Sequence, residues 1–92
     1  MKPIKEKDFV SGNPDHHAWL KNADRKNDDY LMIVCDTFEY EDYPVYCKAS
    51  ELFNNISKYN NYNEMSKIMD IIELDKTNIK SHNTEDQEQE RE

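Results

Sequence analysis

The chain has 92 residues, with 12 basic against 20 acidic side chains and a formal charge of −8. That length allows one domain and is too short for a two-domain enzyme, and the acidic balance argues against a direct grip on the phosphates of DNA or RNA, which needs net positive charge. No apolar run approaches the roughly 18 residues of a membrane span, and the N-terminus lacks the order of charged, apolar and small residues that marks a signal peptide, so a soluble, cytoplasmic protein is expected.

As an average the composition borders on disorder, because Leu, Ile, Val and Phe number only 17. Position changes that picture. Residues 30 to 74 hold 12 of those 17, all six Tyr and both Cys, which is a globular composition. The charge is divided just as sharply: residues 27 to 47 carry Asp28, Asp29, Asp36, Glu39, Glu41 and Asp42 and no Lys or Arg, while residues 84 to 92 carry five acids and Arg91.

In chain order, residues 1–12 are expected to be a flexible N-terminal segment. Ser11-Gly12-Asn13-Pro14 reads as the turn before a short helix, with Asn13 as cap and Pro14 at the first helical position, running to Asn22 with Trp19, Leu20 and Ala23 on one side. Tyr30 to Thr37 is an apolar run of strand length with apolar residues at both parities, so both of its faces should be covered. Phe38 to Asp42 makes a loop without glycine, too long for a two-residue primed turn. Tyr43 to Lys48 is a second strand, and Pro44 suits an edge position.

The period then lengthens. Ser50 can cap a helix with Leu52, Phe53, Ile56 and Tyr59 on one face, broken by Asn60, Asn61 and Asn63. Asn63 can cap a further helix in which Met65, Ile68, Met69 and Ile72 fall at i, i+3, i+4 and i+7, the cleanest periodic pattern in the sequence. From Lys80 onward no apolar residue and no period remain, so ordering that stretch would lose conformational entropy with no burial to offset it. The expectation is a small single α+β domain over residues 13–79, made of a short N-terminal helix, a two-stranded antiparallel hairpin and two C-terminal helices, followed by a disordered acidic tail over 80–92. A domain of that size is marginal by itself, which a homodimer or a complex would relieve.

The segment from Asp36 to Tyr46 is the candidate site. Its four carboxylates, on Asp36, Glu39, Glu41 and Asp42, alternate with Phe38, Tyr40, Tyr43 and Tyr46. In an extended chain Glu39 and Glu41 would point the same way roughly 6.6 Å apart, comparable to neighbouring phosphates on a nucleic acid strand. Tyrosine beside them adds large contact area at low entropy cost. Asp36, Glu39, Tyr40, Glu41, Asp42, Tyr43 and Tyr46 are therefore candidate partner-binding residues. The plainer reading of the same stretch is a solvated acidic loop whose aromatic residues fold inward as core.

Other chemistry finds little support. A calcium loop counted from Asp36 has Glu41 where glycine is required. Cys35 and Cys47 lack the closely spaced pairing of zinc ligands and read as small buried hydrophobes. His16 and His17 are adjacent and, on a helix, point about 100° apart. No serine–histidine–aspartate set, phosphate loop or HExxH is present, so neither catalytic residues, metal nor cofactor is expected. Met65 and Met69 read as core.

Val34-Cys35-Asp36-Thr37-Phe38, then Tyr40, then Glu41-Asp42-Tyr43-Pro44-Val45-Tyr46 resembles a group of small phage and prophage proteins with a hydrophobic strand followed by this motif. The similarity continues from Asn63 to Leu74, where such proteins have a Met-containing helix, and covers about half of the chain. It carries over no catalytic or binding residue. What it implies is a phage context, in which small accessory proteins bind and disable host proteins, including restriction, CRISPR or other defence components. The expected function is thus a phage-encoded, non-enzymatic binding protein in the bacterial cytoplasm, inhibiting a host or defence protein with a basic nucleic-acid-binding cleft, with nucleic acid mimicry as one form of it. The alternative is a structural or assembly protein, acting as a homodimer or as a subunit of a phage complex.

Overall fold

A computed structural model describes residues 2–76, in which two short helices cover the two faces of a four-stranded mixed sheet. The strands are β1 (Ile4–Lys5), β2 (Tyr30–Asp36), β3 (Glu41–Cys47) and β4 (Ser66–Glu73), in the spatial order β1-β4-β2-β3. β1 runs parallel to β4, and the other pairs are antiparallel. The helices are α1 (Pro14–Lys21) and α2 (Leu52–Tyr59). The expected small α+β domain is present, but the expected two-stranded hairpin is part of a four-stranded sheet and its second strand begins at Glu41, not Tyr43; the expected acidic tail over 80–92 lies outside the described residues.

The central pair is β2 and β4, and its side chains sort by parity. Leu31 and Ile33 join Ile72 and Leu74 on one face, beneath Phe9, Trp19, Leu20 and Ala23 from the N-terminal part of the chain. Met32 and Val34 join Cys47, Ile68 and Ile71 on the other, beneath Leu52, Ile56 and Tyr59 of α2. Both faces of β2 are covered, as its unbroken apolar run predicts, and Pro44 sits in the edge strand β3.

The expected last helix is corrected: Ser66–Glu73 is the strand β4, entered through a 3-10 turn over Tyr62–Glu64. The reason lies in one residue. Ile33 pairs with Asp70 but Val34 with Ile68, so Met69 is an extra residue on β4 and forms a bulge. The bulge shifts the parity, so that Ser66, Ile68 and Ile71 share the α2 face while Asp70 and Ile72 take the α1 face. A strand buried on both faces and shifted by one residue yields apolar spacings of three and four, the same spacings as a helix. The β-branched Ile68, Ile71 and Ile72 favour the strand. Met65 and Met69, expected as core, are instead 49% and 47% exposed.

Smaller differences follow the same logic. α1 begins as expected, with Pro14 at its first position and the Asn13 side chain accepting from the Asp15 N–H at 2.9 Å. Ser50 does not cap α2; a 3-10 turn over Ala49–Glu51 leads into it, and the Asp29 carboxylate accepts from the Ala49 N–H at 2.7 Å. Phe53, expected on the buried face of α2, is exposed. Cys47 is buried, whereas Cys35 is only half-buried.

Residues 1–12, expected as flexible, contribute a strand, and the sheet therefore begins before residue 13. Ile4 and Lys5 pair with Ile72 and Glu73. A polar clamp holds this segment: Arg25 Nη2 donates to Glu6 Oε2 at 2.7 Å and to the Leu20 carbonyl at 3.1 Å, while Glu6 Oε1 accepts from the Asp75 N–H at 2.8 Å. Both charged side chains are only 16% exposed, so removing one strands the other in a dry setting. Glu6→Ala should lower stability by about 1–3 kcal/mol in chemical denaturation, and Arg25→Met added to it should recover part of that loss; an unchanged midpoint for Glu6→Ala would show that the clamp contributes nothing.

Candidate functional site

Strands β2 and β3 pair up to Asp36 and Glu41, leaving Thr37 to Tyr40 as a four-residue loop. The Asp36 side chain builds that loop, accepting from the N–H groups of Phe38 at 2.8 Å and Glu39 at 3.3 Å, and the Tyr40 N–H donates to the Asp36 carbonyl at 2.6 Å. The turn is completed by Tyr40 in the left-handed region, at φ 58°. Chain extension through Glu39 is therefore corrected: Glu39 is in the turn and Glu41 starts the strand, so the even 6.6 Å spacing does not apply to them.

The seven candidate residues separate into two groups. Tyr40 is 82% exposed, and Glu39 and Glu41 are exposed with it, beside Phe38 at 68%. Asp36, Asp42, Tyr43 and Tyr46 are half-buried and bonded or packed into the fold. The Tyr43 ring meets Tyr59 edge-on at 6.4 Å, and the Tyr46 hydroxyl donates to the Trp19 carbonyl at 2.7 Å. Burial pushes both phenols above their ordinary pKa.

The six acids of residues 27 to 47 divide similarly. Asp28 accepts from the Asp24 N–H, Asp29 holds the Ala49 N–H and Lys76 Nζ, Asp36 forms the turn, and Asp42 takes His16 Nε2 at 2.9 Å. The Ala49 N–H, with Lys76 beside it, lowers the Asp29 carboxyl below its usual range. Among the described residues, Glu39 and Glu41 are the two of the six whose carboxylates have neither hydrogen bond nor ion pair.

A second turn adjoins the loop. The Thr37 N–H donates to the Met65 carbonyl at 2.9 Å, and Met65 is itself left-handed at φ 56°. Tyr62, in the 3-10 turn before it, is exposed. Phe38, Tyr40, Tyr62 and Met65 thus occupy turns at the same end of the sheet. Tyr62 and Met65 were missed in the sequence because the helical spacing around them assigned Met65 to a buried face.

On the α1 side, His16 links the helix to the hairpin. Its Nε2 faces Asp42 and its Nδ1 lies 2.8 Å from the Ser11 hydroxyl, an arrangement that a neutral ring satisfies with Nε2–H donating and Nδ1 accepting. Asp70 is nearby on the same face of the sheet: its carboxyl is raised above its ordinary pKa chiefly by burial, with His16 opposing the shift and Asp42 adding to it. Cys35 is opposite Asp42 in the ladder, and burial, reinforced by Asp42, pushes its thiol up and away from thiolate chemistry. No group of three or more His, Cys, Asp or Glu among the described residues is arranged to hold a metal ion, and no described helix is long and apolar enough to cross a membrane.

No protein-family model matches the chain, and the searches of curated proteins and of solved structures found no significant match.

A non-glycine residue in the left-handed region costs on the order of 1 kcal/mol, more for a β-branched one. Tyr40→Gly should therefore leave stability unchanged or raise it by up to about 1 kcal/mol after the entropy that glycine adds to the unfolded chain, whereas Tyr40→Val should lower it; equal melting temperatures would contradict the turn assignment. For Asp70, a folded pKa above the unfolded value means that the native state binds the proton more tightly, so its charged form opposes folding at neutral pH and the opposition fades as pH falls through the folded pKa toward 3.8. Asp70→Asn should raise the melting temperature at pH 7 and do so less at pH 4; a gain that grows on acidification would refute this.

Proposed function

We propose that the chain is a non-enzymatic binding protein that contacts a basic surface of another protein through the tip of the β2–β3 hairpin. The observation that carries this reading is Tyr40, a large aromatic residue held left-handed and almost fully exposed where stability alone would prefer glycine. Phe38 is exposed beside it, and the two unpaired acids, Glu39 and Glu41, flank them. Aromatic anchors with a charged rim are the usual make-up of an energetic centre in a protein interface.

The phage resemblance of the same segment makes a host or defence protein the favoured class of partner, and inhibition the favoured outcome. A basic nucleic-acid-binding cleft would suit the two glutamates, although mimicry of an evenly spaced phosphate row is weakened once Asp36 and Asp42 are bonded within the fold. The same aromatic tip could also serve a structural or assembly role between copies of the chain, and light scattering discriminates: a concentration-independent monomer removes that reading.

Contacts between exposed charges are screened over about 8 Å at physiological ionic strength. Partner capture from bacterial lysate should thus be strong at low salt, weaken at high salt, and fall at least tenfold for Phe38→Ala with Glu39→Gln, two exposed substitutions that leave the fold intact. Equal capture of the same partners by the double variant would refute the hairpin tip as the contact.

A further inference from the structure

Ser11, His16 and Asp42 form an unbroken chain of hydrogen bonds on the α1 side of the sheet. The Ser11 hydroxyl lies 2.8 Å from His16 Nδ1, and Asp42 Oδ2 lies 2.9 Å from His16 Nε2. An ionised carboxylate only accepts, so Nε2 carries a proton, and in the neutral ring Nδ1 then presents its lone pair to the Ser11 O–H. Hydroxyl, base and orienting acid follow in the order that activates a nucleophilic serine, with the two ring nitrogens exchanged. His16 is only 12% exposed, so water competes little for these contacts. No spacing in the sequence announces the set, because Asp42 comes 26 residues after His16 and folding alone brings them together.

The surroundings of the hydroxyl suit acyl transfer. Ser11 Oγ accepts from the Asn13 N–H at 3.1 Å, and His17 Nε2 donates to the Ser11 carbonyl at 2.7 Å, so both side chain and backbone are held in place. The start of α1 does not depend on Ser11, since the Asn13 side chain already caps it. Next comes Gly12, the one glycine of the chain, with nothing within 4 Å of the place a Cβ would take. Its N–H makes no hydrogen bond among the described residues. The amide that follows a nucleophile is a recurring donor to the oxyanion of acyl transfer.

We infer that Ser11 is an activated nucleophile that takes an acyl group from an activated ester. Ser11 Oγ bonds to the acyl carbon and passes its proton to His16 Nδ1, and the Gly12 N–H is the donor available to the developing oxyanion. The bond from that carbon to the leaving oxygen then breaks, and His16 returns the proton to the departing alkoxide. Nothing is oxidised or reduced. The product is one acyl-serine per chain, a modification and not a turnover, and it does not depend on the hairpin-tip contact.

Treatment of the full chain with p-nitrophenyl acetate, followed by peptide mass mapping, compares Ser11 with other hydroxyls of the same molecule. Ser50 and Ser57 are exposed and belong to no such set, so Ser11 should be acetylated roughly a hundredfold faster than either, the contribution of a positioned base. His16→Gln should bring Ser11 down to the rate of those two, and Asp42→Asn should slow it at least about tenfold, each with unchanged circular dichroism. Should either variant fail to fold, the ratio of Ser11 to Ser50 and Ser57 in the unaltered chain still decides. Equal acetylation of the three serines, no adduct on Ser11, or undiminished acetylation of Ser11 in folded His16→Gln would overturn the assignment.

Discussion

Strands β2 and β4 lie side by side at the centre of the sheet, and their apolar side chains must be kept from water on both faces at once. That requirement orders the rest of the chain. α1 and Phe9 cover Leu31, Ile33, Ile72 and Leu74; α2 covers Met32, Val34, Ile68 and Ile71. Each helix has eight residues, too short to persist in water alone, so each owes its existence to the face it covers. The Met69 bulge belongs to the same arrangement, since it lets the isoleucines of β4 serve both faces while turning one methionine outward.

The acids of the hairpin region have two different roles that a net charge hides. Asp29 satisfies the N–H of Ala49 ahead of α2, Asp36 builds the β2–β3 turn, and Asp42 ties β3 to α1 through His16. These carboxylates replace backbone and side-chain contacts that water would otherwise make, and a charge held this way is poorly available to a partner. Glu39 and Glu41 are left outside that network, beside the two aromatic residues that the fold also leaves outside. Local stability and surface presentation conflict most sharply at Tyr40, where a left-handed backbone carries a bulky side chain into solvent.

The α1 face is tied to the hairpin by packing and by polar contacts. Trp19 packs partly into the core, so its position is fixed by the packing that stabilises the sheet. His16, half-buried between Ser11, Trp19 and Asp42, holds helix and hairpin together at that point.

The sequence by itself determined the elements whose signals are local. Asn13-Pro14 start α1, the apolar run from Tyr30 makes a strand buried on both faces, Pro44 suits an edge, and Leu52, Ile56 and Tyr59 lie on the half-buried face of α2, although Phe53, read onto the same face, is exposed. It also located the acidic, aromatic hairpin. Only the tertiary structure decided that Ser66–Glu73 is a strand, because a bulge in a doubly covered strand copies helical spacing and the distinction rests on pairing with β2. It alone decided which acids are bonded and which are presented, since His16 meets Asp42 and Lys76 meets Asp29 across long stretches of chain.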